Sequence, residues 1–133
     1  MKLKKQQPLR IYVAGPYCPM LCDLHDASRL AQRNTDVAIA IGNALIEKGH
    51  FVFVPHVSHY IHTHASCKRD YGEWWYDEDM TFLDHWATAL YYISPSKGAD
   101  LELLRAQQLG LKIFRSLDEV PEIPKSKPWG WTE

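Results

Sequence analysis

Four short runs of β-forming residues, separated by segments with helical patterning, constrain the fold of this chain more than any other feature. The runs cover residues 9–14 (LRIYVA), 51–54 (FVFV), 87–93 (ATALYYI) and 111–114 (LKIF). The intervening spacing predicts helices over residues 36–48, 73–86 and 97–109, the first with a start as early as Ser28. This alternation predicts a flavodoxin-like α/β sandwich, a parallel sheet with helices on both faces. Right-handed crossovers give the strand order 2-1-3-4, with room for an extra edge strand.

The remaining segments lack a clear period. Residues 17–28 are expected to form a long loop after the first strand, and residues 56–72 are polar and rich in His and Tyr. Residues 116–133 carry three prolines and two tryptophans and are expected to form a tail or a last turn. A chain of 133 residues fits one domain, with its core in residues 9–115.

Composition excludes several classes of partner. The formal net charge is −1, which does not favour binding to a nucleic-acid backbone. No apolar run is long enough to predict a membrane span. Three cysteines, an odd number, do not form a disulfide framework, so we expect a reducing, cytoplasmic environment.

The segment SPSKGADLE, residues 94–102, is the strongest candidate for a functional site. It leads from the third strand into a helix, and the first turn of a helix offers unpaired N–H groups to a phosphate or carboxylate. We place Glu102 in that first turn, where its negative form is favoured. The helix before the third strand begins at the same edge of the sheet, which predicts Asp79 within reach of Glu102.

Five pieces of the chain, in this order and spacing, resemble the nucleoside 2-deoxyribosyltransferase superfamily, which includes the deoxynucleoside 5′-monophosphate N-glycosidases. The pieces are IYVAGPY from Ile11, Asn34, GHFVFVPH from Gly49, DMTFL from Asp79 and SKGADLELLRA from Ser96. The resemblance covers residues 11–114, and its most specific part is the Gly-x-x-x-Glu element at Gly98 and Glu102. It implies the same flavodoxin-like sandwich, a homodimer or higher homo-oligomer, and no cofactor.

The resemblance also implies roles for individual residues. Glu102 matches the family's catalytic glutamate, which attacks the anomeric carbon of the sugar, and Asp79 matches the aspartate that manages the proton on the departing base. Ser96 and Gly98 resemble the turn that holds the 5′-phosphate. Four further residues are expected to contact the substrate: Gly15, Tyr17, Asn34 and His56. The substrate would be a nucleoside or its 5′-monophosphate, with water or a second base as the acceptor.

Other interpretations remain open from the residues. The same fold could serve as a noncatalytic nucleotide-binding or regulatory module. The histidines at positions 56, 59, 62 and 64 could form a metal site of a hydrolase, but no Asp or Glu lies between them, so we predict no metal. Cys18, Cys22 and His25 would need a fourth ligand to hold a structural zinc.

Overall fold

The fold is a four-stranded parallel sheet with helices on both faces. The computed structural model describes residues 7–17, 24–64 and 74–124, apart from the side chains of residues 24–26, 62, 63 and 74. The strands are β1 Arg10–Ala14, β2 Phe51–Phe53, β3 Ala89–Tyr92 and β4 Lys112–Phe114. The helices are α1 Leu24–Glu47, α2 Ser58–His64, α3 Trp74–His85 and α4 Lys97–Gln108, with 3-10 turns at Pro55–Val57 and Leu117–Glu119.

All three strand pairs are parallel, and the order is β2-β1-β3-β4. The predicted fold class and strand order are therefore confirmed. In register, Ile11 lies opposite Val52 on one side and Ala89 on the other. Because every strand runs the same way, the chain segments that follow β1, β2 and β3 all lie at one end of the sheet, the carboxyl edge.

Each face of the sheet has its own apolar core. On the face covered by α1, the buried residues include Ile11, Val13, Leu45 and Tyr91. On the face covered by α3 and α4, they include Tyr12, Leu83, Leu90 and Ala106. Alternate residues of β1 therefore point to opposite layers, as period-2 strand geometry requires. The candidate site lies in the second layer.

Helix α1 is longer than the sequence predicts, and the expected loop over residues 17–28 is wrong from Leu24 onward. The buried positions of this helix are Ala31, Thr35, Ala38, Gly42 and Leu45. Small residues at this spacing let the helix approach the sheet closely: a Cβ on Gly42 would lie only 2.6 Å from Val54 Cγ2. The apolar spacing within residues 36–48 places Val37 on the predicted buried face, but Val37 is 44% exposed, so the buried face differs from the predicted one.

Two other segments are more ordered than the sequence predicts. Residues 55–64 form a 3-10 turn and helix α2 instead of an irregular loop. The start of the expected tail packs on the body, with Val120 and Ile123 buried. The imidazole of His50 accepts from the backbone N–H of Leu9 through Nδ1 (3.0 Å) and donates from Nε2 to the carbonyl of Pro121 (2.6 Å). None of the described helices is both long and apolar enough to cross a membrane.

Candidate active site

Two acidic side chains from different helices meet on the α3/α4 face of the sheet. Asp79 lies in the second turn of α3 and Glu102 in the second turn of α4. The negative charge of Asp79 raises the pKa of the Glu102 carboxyl, and both charges act on Tyr12, so the two groups lie near each other; we call them the carboxyl pair. Asp79 Oδ1 and Glu102 Oε2 are buried and have no hydrogen-bond partner within the described residues. Unsatisfied buried carboxyl oxygens are costly, and such groups often mark functional sites.

Tyr12, a fully buried residue of β1, lies beside the carboxyl pair. Burial, together with the charges of Glu102 and Asp79, raises the pKa of its phenol well above the usual value. The hydroxyl reaches no described group with full hydrogen-bond geometry. It is nevertheless close enough to Glu102 to hold the pKa of that carboxyl lower than burial alone would. Tyr12 can therefore donate a hydrogen bond to Glu102 after a small adjustment.

Burial dominates the protonation of the carboxyl pair. It raises the pKa of Glu102 from 4.5 to about 8, a change opposed by the Tyr12 hydroxyl and reinforced by the charge of Asp79. Burial, with a smaller effect of the Glu78 charge, raises the pKa of Asp79 from 3.8 to about 7. Glu102 therefore keeps its proton to a higher pH than Asp79 does. Near neutral pH the pair holds at least one proton.

The expectation that the start of α4 favours the negative form of Glu102 is wrong. Lys97 is the first residue of α4, so the acidic residue of the first turn is Asp100, and Glu102 lies beyond it. A helix start stabilises an anion by only about 0.3–1 kcal/mol. Desolvation of a carboxyl can shift its pKa by several units, and each unit corresponds to about 1.4 kcal/mol. The burial effect is therefore the larger one.

Ser96 and Gly98 form the start of α4. Ser96 is the N-cap, and its hydroxyl accepts a hydrogen bond from the Ala99 N–H at 3.0 Å. The hydroxyl proton remains available to a ligand, because the cap uses only an oxygen lone pair. A Cβ on Gly98 would lie 3.9 Å from Glu102 Oε1, in ordinary contact, so glycine at this position leaves that side of the Glu102 carboxyl uncovered.

Gly15 and His56 fix the segment after β1, residues 15–17, which we call the β1 loop. A Cβ on Gly15 would lie 2.8 Å from Ile93 Cδ1, so any other residue at this position would require Ile93 to shift. The buried His56 donates from Nε2 to the carbonyls of Gly15 (3.1 Å) and Pro16 (3.0 Å). Burial lowers the pKa of His56 despite these two hydrogen bonds. The neutral imidazole therefore holds the loop.

Tyr17 and Asn34 belong to the same supporting network. The Asn34 side chain donates to the carbonyl of Tyr17 at 2.8 Å. The Tyr17 hydroxyl lies 2.6 Å from His59 Nδ1, and His59 Nε2 lies 3.2 Å from Gln32 Oε1. With the proton on Nε2, His59 accepts from the tyrosine and donates to the glutamine. The structure thus brings together four residues that are expected to contact the substrate, Gly15, Tyr17, Asn34 and His56. Most of the hydrogen bonds between them use the backbone carbonyls of the β1 loop.

A cavity of about 300 Å³ opens at the carboxyl edge on the opposite face of the sheet, between α1, the β1 loop and the segment after β3. We call it the α1 cavity. Its polar lining is made by Arg33, Asn34 and Ser94, and the rest of the lining is apolar. Its volume is at the lower end of the range for small-molecule pockets.

Three further polar residues near the candidate site, Asp84, His56 and His59, are held in structural contacts. Asp84, which stands five residues after Asp79, forms a 2.7 Å ion pair with Arg105. His56 and His59 are engaged in the contacts described above. Across residues 7–17, 24–64 and 74–124, no group of three or more His, Cys, Asp or Glu side chains is placed to hold a metal. Cys18, Cys22 and Cys67, with the side chains of His25 and His62, lie outside the described residues.

Tyr12 is the site residue that the sequence reasoning did not single out. The signal was a tyrosine within an otherwise aliphatic run, Ile11 to Ala14, because a buried phenol needs a polar partner. Comparison with protein-family models and with curated proteins gives no match to this chain. Its function is therefore inferred from the geometry of the site.

Proposed function

We propose that this protein cleaves or transfers the N-glycosidic bond of a (deoxy)nucleoside or its 5′-monophosphate. The observation that carries this proposal is the carboxyl pair, in which Asp79 and Glu102 share a buried site with raised pKa values. Retaining glycosidases need one carboxylate as nucleophile and one carboxylic acid as proton donor. A pair that keeps one proton near neutral pH supplies both when substrate binding moves that proton from Glu102 to Asp79.

In the proposed reaction, Glu102 attacks the anomeric carbon as the bond to the base breaks. The bonding electrons leave with the base, which takes a proton from Asp79, and the sugar becomes esterified to Glu102. Water in a hydrolase, or a second base in a transferase, then attacks the anomeric carbon and gives up a proton to the Asp79 carboxylate, while the bond between the sugar and Glu102 breaks and releases the carboxylate. Positive charge that develops on the sugar favours the anionic form of Glu102. The Tyr12 hydroxyl orients the nucleophile.

Ser96 and Gly98 are proposed to contact the sugar or its phosphate. The Ser96 hydroxyl can still donate a hydrogen bond, and a side chain in place of Gly98 would contact Glu102 Oε1. Gly15, Tyr17, Asn34 and His56 are proposed to shape the opposite wall through the β1 loop. A homodimer in which a second copy completes the site is part of the same proposal.

The test is base release from a panel of deoxynucleosides and their 5′-monophosphates, with and without a free acceptor base, followed by chromatography. Glu102→Gln should abolish release and exchange, and Asp79→Asn should lower both by roughly 10²–10⁴-fold, the usual contribution of a general acid. Glu47→Gln, an exposed substitution near the end of α1, is the matched control. Intact-mass detection of a sugar adduct that is absent from Glu102→Gln would identify the nucleophile. Release that persists in Glu102→Gln would contradict the proposal.

A second candidate is a noncatalytic nucleotide-binding module. It is favoured by the raised pKa of Glu102, about 8, because a protonated carboxyl is a poor nucleophile but a good hydrogen-bond donor to a base or sugar. This candidate predicts that nucleotides raise the melting temperature of the wild type without any base release. The same measurements therefore separate the two functions.

A further inference from the structure

Arg33 is the only ionisable side chain in the described lining of the α1 cavity. It is the tenth residue of α1, which begins at Leu24, and is exposed. Its guanidinium makes no hydrogen bond or ion pair within residues 7–17, 24–64 and 74–124. A guanidinium presents a planar set of N–H donors that fits two oxygens of a phosphate at once. The cavity thus combines a free cation with a partly open, mainly apolar space.

The cavity and the carboxyl pair are joined by one short stretch of chain. Ile93 and Ser94 line the cavity at the end of β3, and two residues later Ser96 caps α4, the helix that carries Glu102. Pro16, at the end of β1, lines the same cavity. A ligand at the carboxyl edge can therefore extend from one face of the sheet to the other between the ends of β1 and β3.

We propose that the α1 cavity is the phosphate subsite of the candidate enzyme, and that Arg33 selects nucleoside 5′-monophosphates over nucleosides. This inference rests on the proposed function and names its substrate class. The cavity, with a volume of about 300 Å³ at the lower end of the range for small-molecule sites, suits the phosphate end of a nucleotide. It holds the phosphate end, while the sugar and base lie towards the carboxyl pair.

This assignment differs from a phosphate held at the start of α4. There the Ser96 hydroxyl is already the cap acceptor for Ala99, and the cation that follows it in the chain, Lys97, does not line the cavity. The Ser96 turn then contacts the sugar rather than the phosphate. Ser96→Ala and Arg33→Gln distinguish the two assignments, because each removes one of the competing groups.

The experiment measures binding of deoxynucleoside 5′-monophosphates and of the matching deoxynucleosides by calorimetry, using the full chain. The variants are Arg33→Gln, Ser96→Ala and, as a control that removes one positive charge elsewhere, Lys112→Gln at the first residue of β4. We expect the wild type to prefer the monophosphates. Arg33→Gln should weaken monophosphate binding by roughly 10–100-fold, the usual effect of losing a charged hydrogen bond, and leave nucleoside binding unchanged. Lys112→Gln should match the wild type.

The outcomes separate this inference from the proposed function. If Arg33→Gln loses the preference and no substrate releases its base, the subsite stands and the catalytic proposal fails. If bases are released from nucleosides and monophosphates alike, with no effect of Arg33→Gln, the catalytic proposal stands and the subsite is overturned. A preference that survives in Arg33→Gln but is lost in Ser96→Ala also overturns it, as does the absence of any monophosphate binding.

Discussion

Replacing Glu102 by glutamine should make the stability of the protein much less dependent on pH. The pKa of Glu102 is raised from 4.5 in an exposed chain to about 8 in the fold, so the folded state binds the proton more tightly than the unfolded state. Stability from this group is therefore fully present below pH 4.5 and is lost as pH rises through 8. With about 1.4 kcal/mol for each pKa unit, the loss between pH 5 and pH 8 is at most about 3.5 kcal/mol.

The assay is urea unfolding of the wild type and Glu102→Gln at pH 5 and pH 8, monitored by circular dichroism. Relaxation around the charged carboxylate makes the actual loss smaller than this upper bound. We therefore expect the free energy of unfolding of Glu102→Gln, relative to that of the wild type, to be at least about 2 kcal/mol higher at pH 8 than at pH 5. Any constant cost of burying the amide cancels in this comparison. Glu122→Gln, at an exposed position, is the control and should follow the wild type. A Glu102→Gln difference that is equal at pH 5 and pH 8 would refute the buried, protonated Glu102.

Three further substitutions test the site and its supports. Asp79→Asn removes a negative charge that raises the pKa of Glu102, so the stability loss assigned to Glu102 should move to lower pH; an unchanged midpoint would contradict the coupling. Ser96→Ala removes the α4 cap and should cost about 1 kcal/mol in urea unfolding. Gly15→Ala places a Cβ 2.8 Å from Ile93 Cδ1 and should cost about 1–3 kcal/mol, with a smaller cost in an Ile93→Ala background; equal costs in both backgrounds would argue against the clash.

The sheet could be predicted from the sequence because its strands are buried on both faces and carry continuous apolar runs. The length of α1 could not, since its buried face consists mainly of Ala31, Thr35, Ala38 and Gly42. Small residues of this kind do not produce a strong apolar period, although they pack a helix closely against a sheet. Helix α2 was missed for a related reason: its sequence, SHYIHTH, is largely polar.

The candidate site could be predicted only in part. Asp79 lies near the start of the helix before β3, and Glu102 near the start of the helix after it. Helices that connect parallel strands begin at the carboxyl edge of the sheet, so the sequence alone predicts both residues at that edge. The protonation state could not be predicted, because it depends on how deeply each carboxyl is buried and on the neighbouring Tyr12. The roles of His56 and Asn34 in holding the β1 loop depend on three-dimensional contacts with the carbonyls of residues 15–17.

The contacts of His50 have a consequence for engineering. One imidazole links the residue before β1, Leu9, to the C-terminal segment at Pro121, and the N–H of Ile123 donates to the carbonyl of Lys48. The described chain thus enters the sheet and leaves the body at the same edge, opposite the carboxyl pair. In a circular permutant that joins these two segments by a short peptide, the new connection would lie away from the candidate site.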